Sequence, residues 1–87
     1  MKLRCDYLIK TIEGKNVLIP IGSDEISLSK LITVNESALV ILNLLKEEIS
    51  FSDLIDKLEV EFSDAGRALL ENDTKEFIEI LKENKLL

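Results

Sequence analysis

The side chains that ordinarily do chemistry are thinly supplied in this chain. Its 87 residues include no histidine and one cysteine, Cys5. Zinc centres need several imidazole or thiolate ligands, so no metal site is expected. A Ser or Cys nucleophile has no imidazole to activate it, and a lone thiol is an ordinary one unless its surroundings favour the thiolate. One cysteine can form no disulfide within the chain and cannot by itself hold an iron–sulfur cluster. Carboxylates are plentiful, as in Glu47-Glu48, Glu59 with Glu61, and Asp73 with Glu76. At these spacings they read as solvated helix faces rather than acid–base pairs. Neither Gly-x-Gly-x-x-Gly nor Gly-x-x-x-x-Gly-Lys occurs, and Gly14, Gly22 and Gly66 fall in turns. The reading is a non-enzyme with no catalytic residue and no cofactor.

Charge narrows the partners. Eleven basic against 17 acidic residues leave a net charge of −6, a field that repels a polyanion. The basic residues are scattered among acidic ones and form no stripe, so nucleic-acid binding is not expected. The opening Met1-Lys2-Leu3-Arg4-Cys5-Asp6 lacks the apolar stretch of a signal peptide. The longest uninterrupted apolar run, residues 38–42, is far too short to cross a bilayer. A soluble, cytoplasmic protein without membrane contact is expected. With 46% hydrophobic and 5% aromatic residues, the chain suits one aliphatic-cored domain spanning residues 1–87.

The elements follow from periodicity. Tyr7-Leu8-Ile9-Lys10-Thr11-Ile12 reads as a strand, and Glu13-Gly14-Lys15-Asn16 as a turn. Val17-Leu18-Ile19-Pro20-Ile21 is then the hairpin partner, with Pro20 at a strand end or edge because it has no N–H to donate. A third strand lies within residues 28–34, best at Leu31-Ile32-Thr33-Val34. Asn35 caps a first helix bearing Ala38, Leu39, Ile41, Leu42 and Leu45, which should be the most buried of the helices. Ser50 caps a second, with Asp53 three residues on and Leu54, Ile55, Leu58 and Phe62 facing the core. Ser63-Asp64-Ala65-Gly66 breaks it. Asn72 is expected to cap a third helix, with Asp73 and Glu76 near its positive end and Leu69 and Leu70 beneath the preceding loop. Three N-terminal antiparallel strands followed by three helices make a winged-helix-like α+β fold.

This pattern resembles the PqqD-like family, the small protein D of pyrroloquinoline quinone biosynthesis and its relatives. The resemblance rests on Val34-Asn35-Glu36-Ser37-Ala38 leading into the first helix and on Ser50-Phe51-Ser52-Asp53-Leu54-Ile55 opening the second. It rests also on the ending with Asp73-Thr74, Phe77-Ile78, Leu81 and Leu86-Leu87. Departures are Ser37 for Thr, Glu48-Ile49 where Asp-Gly is common, Thr74 at a usual Val, and Lys85 at the Gly before the terminal leucines.

The resemblance implies a peptide-recognition domain. It would hold the leader of a ribosomally synthesised precursor and present it to a maturation enzyme, a radical S-adenosylmethionine (SAM) enzyme encoded separately. In the family the leader is added as a strand beside the third strand, against the third helix. Here that maps to Lys30, Leu31, Ile32, Thr33 and Val34, and to Phe77, Ile80, Leu81 and Asn84 on the helix side. The residues add a hint of their own. Ile80 and Phe77 make the helix apolar on a second side, and alternation with inward Ile32 and Val34 points Leu31 outward. An exposed strand edge beside an apolar helix face suits strand addition. Two other functions fit the same fold: a winged-helix DNA-binding regulator, which needs a basic recognition helix, and a general adapter or dimerisation module.

Overall fold

The computed structural model describes residues 1–21 and 32–87. Its elements in chain order are β1 (Asp6–Ile12), β2 (Lys15–Ile21), β3 (Ile32–Val34), α1 (Glu36–Leu44), α2 (Phe51–Glu61) and α3 (Arg67–Glu83). The sheet order is β1-β2-β3, antiparallel throughout, with the helices following in sequence. The expected α+β order is the observed one.

The hairpin is tighter than expected. Ile12 pairs with Lys15, so only Glu13 and Gly14 form the loop and Lys15 and Asn16 belong to β2. Both loop residues have positive φ, 52° at Glu13 and 77° at Gly14, as a type I′ turn requires to match the strand twist. β2 then pairs with β3 through Asn16↔Val34, Val17↔Thr33 and Leu18↔Ile32. Pro20 stands opposite Tyr7, one residue before the end of β2 and past the described pairing with β3.

The helix starts are chemical. Asn35 Oδ1 accepts from the Ala38 N–H at 2.9 Å, and Ser50 Oγ accepts from the Asp53 N–H at 3.1 Å. Each satisfies an N–H that the helix cannot. Only Glu36 and Asn43 of α1 are exposed, which makes it the most buried helix, as its run of aliphatics implies.

The third helix departs from expectation. It begins at Arg67, with Gly66 as N-cap, and not at Asp73. Leu70, Thr74, Phe77, Ile78 and Leu81 form one buried stripe at spacings of three, four and one, so the apolar period already runs through Leu70. Leu69 is 55% exposed on the helix itself, not packed beneath a loop. Arg67 anchors the first turn, reaching Asp56 at 2.9 Å and Glu59 at 3.2 Å on α2 and Glu71 at 3.2 Å on its own helix. Asn72 and Asp73 resemble a cap in sequence but sit on the solvent face, where they do not interrupt the backbone ladder.

The core fills the space between sheet and helices. Leu18, Ile32 and Val34 enter from the sheet, and Leu42, Leu45, Leu54, Ile55, Leu58 and Leu81 from the helices, the latter six with no exposed surface. Residues 1–4 close one end: the Leu3 N–H donates to the Leu45 carbonyl and the Arg4 N–H to the Leu86 carbonyl, each at 2.9 Å. None of the described helices is long and apolar enough to cross a membrane.

Candidate functional site: a groove between β3 and α3

In the described sheet β3 is paired on one side, by β2 alone. Its three residues alternate as the pleat demands: Ile32 and Val34 are buried and Thr33 is exposed. Beyond that edge stands α3. A groove of about 670 Å³ lies here, walled by Thr33 and Val34 on one side and by Phe77 and Ile80 on the other, with Ala38 and Ile41 at its floor. Phe77 is 9% exposed and Ile80 40% exposed, so Phe77 is the buried base of that wall and Ile80 its exposed part. Phe77 also belongs to the buried stripe of α3, so of the two residues expected to form a second apolar side only Ile80 is exposed.

The other expected site residues divide. Leu81 has no exposed surface and belongs to the core, with nothing to offer a ligand in the groove. Asn84 is the α3 C-cap, and its side-chain amide donates to the Ile80 carbonyl at 2.8 Å, steadying the helix end behind the wall. Lys30 and Leu31 lie outside the described residues.

The groove also holds residues that the sequence does not reveal. The hairpin end supplies Lys15 and Asn16, the start of α1 supplies Glu36 and Ser37, and α3 supplies Asp73 and Glu76. Lys15 and Asn16 stand 16 or more positions from β3 in sequence, and the Asn16↔Val34 register brings the hairpin end here. Asp73 and Glu76 could have been found from their spacing: with Phe77 and Ile80 they occupy one helix face at i, i+3, i+4 and i+7.

The remaining chemical candidates lie elsewhere. Glu48 pairs with the Met1 amino group at 2.6 Å, and Glu59 is engaged by Arg67. Cys5 is half-buried, and burial, then the neighbouring Asp6 carboxylate, push its thiol above the usual range. That disfavours the thiolate, the reactive form. Among the described residues, no three acidic or thiol side chains stand together in a way that could hold a metal ion.

A small antiparallel sheet whose last strand has an unpaired edge among the described residues, faced across a groove by the last of three helices, defines an α+β scaffold suited to binding an extended chain. The sequence match is explicit: residues 15–87 fit the family described as Coenzyme PQQ synthesis protein D (PqqD), and the chain belongs to that family. The solved structure "TbiB1 in Complex with the TbiA(beta) Leader Peptide" shares the fold, with a TM-score of 0.69 and 22% identity over 100% of this chain and 94% of that one. No curated protein matches the sequence.

Proposed function

We propose that this protein is a non-catalytic peptide-binding partner that holds the leader of a ribosomally synthesised precursor along β3 and presents it to a maturation enzyme. The observation that carries the reading is the edge of β3, unpaired among the described residues, set across a groove from Phe77 and Ile80. Strand addition supplies backbone hydrogen bonds from the edge, while alternate leader side chains drop into the groove. Membership of the PqqD family supports this, as does the shared fold of a protein solved with a leader peptide bound. The partner enzyme is taken to be a radical SAM enzyme, from the resemblance of the chain to its family. Tethering the leader makes modification of the attached core effectively intramolecular, at local concentrations on the order of millimolar for a short flexible linker.

The test is a titration with the cognate leader, followed by NMR. Backbone amides of Ile32 and Thr33 and side-chain signals of Phe77 and Ile80 should shift, as should the amides of Lys30 and Leu31 if the added strand extends to them. Ile80→Asp should weaken binding tenfold or more, because a carboxylate would be desolvated against an apolar leader side chain. Shifts confined to other surfaces, or an Ile80→Asp variant that binds as the parent does, would refute the assignment.

A further inference from the structure

The charges around the groove identify what kind of leader it takes. Among the described residues, its lining carries three carboxylates, Glu36, Asp73 and Glu76, against one ammonium, Lys15. Among the described residues none of these three carboxylates is in an ion pair. Elsewhere Asp56, Glu59 and Glu71 each contact the guanidinium of Arg67. The placement of Asp73 and Glu76 also runs against helix stability. With α3 starting at Arg67 they lie beyond its first turn, where the macrodipole no longer favours an anion. Asp73 and Glu76 repel each other at i, i+3, and so do Glu76 and Glu79. The acidic stripe therefore finds no compensation within its own helix.

We propose that the groove selects a leader segment with an apolar side chain and a Lys or Arg two positions apart, the apolar group resting on Phe77 and Ile80 and the cation reaching Asp73, Glu76 and Glu36. This deepens the leader-binding reading and rests on it. Geometry sets the spacing. Residues four apart on α3, such as Glu76 and Ile80 or Asp73 and Phe77, are separated by about 6 Å along the axis. Same-face residues two apart on a strand are separated by about 6.7 Å. A strand laid alongside α3 thus matches an apolar–x–basic pair to an Ile80–Glu76 pair, whichever way the strand runs. The cation meets carboxylates that have no ion-pair partner among the described residues, so binding breaks no ion pair there. The chain's overall charge of −6 adds steering toward a cationic segment.

The probe is a display library of random ten-residue peptides selected against the intact protein, with the strongest binders resynthesised and titrated by fluorescence polarisation. The expected result is enrichment of Lys or Arg two positions from Leu, Ile, Val or Phe. Replacing that cation with Glu should weaken binding about fivefold or more, on the scale of roughly 1 kcal/mol for an exposed pair. The charge-reversed variant Asp73→Lys/Glu76→Lys, checked for helicity, should restore the Glu peptide and lose the Lys peptide. Enrichment of neutral or acidic segments that still depend on Ile80 would overturn the charge preference and leave the groove standing. Selected peptides indifferent to Ile80→Asp, or no selection above background, would overturn the groove and the preference with it.

Discussion

Among the described residues, Glu13 and Lys85 hold a backbone conformation that their side chains resist. Lys85 follows the α3 C-cap with φ of 62°, in the left-handed region. The Leu86 N–H donates to the Leu81 carbonyl at 2.8 Å and the Lys85 N–H to the Lys82 carbonyl at 3.1 Å, the paired bonds of a Schellman motif. The motif turns Leu86 inward onto Leu81, and both are buried. A residue with a Cβ pays about 1–2 kcal/mol for this conformation, of which the greater chain freedom of an unfolded glycine gives back part. Leu81→Asp should unfold the protein, while Ile80→Asp should stay folded, and circular dichroism separates the two. The Cys5 thiol, held above its usual range by burial and Asp6, should react more slowly with iodoacetamide at pH 8 than a free cysteine peptide does. A rate equal to the peptide's would show that the shift is absent.

At the scale of elements, Gly66 and Arg67 decide where α3 begins. Arg67→Ala removes three exposed contacts to carboxylates at once, so it should loosen the first turn of α3 rather than the core. Hydrogen exchange should quicken at Leu70 and Glu71 and stay unchanged at Ile78. The first two helices were legible because Asn35 and Ser50 act locally, each capping an N–H three residues away. The start of α3 was not, because Asn72-Asp73 imitates a cap while the true start is held by side chains of α2. The same division applies to the groove. Ile80 and Phe77 could be read from helical spacing, and Thr33 and Val34 from strand alternation. Lys15 and Asn16 could not, since their place depends on a cross-strand register. The family resemblance places Leu81 in the site, whereas its complete burial makes it core.

Over the whole molecule, acidity and shape act together. Against the regulator alternative, α3 carries Glu71, Asp73, Glu76, Glu79 and Glu83 with only Arg67, Lys75 and Lys82 in opposition. Duplex DNA should bind no better than the weak non-specific range, roughly 10⁻⁴ M, even at low salt. Sub-micromolar affinity at moderate salt in a polarisation titration would contradict this. The Arg4–Leu86 hydrogen bond carries a topological consequence. It brings the first and last described segments to one point, so the fold is nearly a closed ring with a single seam. A ring can be cut elsewhere. Joining residues 87 and 1 through a short Gly/Ser linker and opening the chain between the exposed Ser63 and Asp64 should give a circular permutant that folds and keeps the groove. Its new ends would lie in the loop between α2 and α3, at residues that do not line the groove.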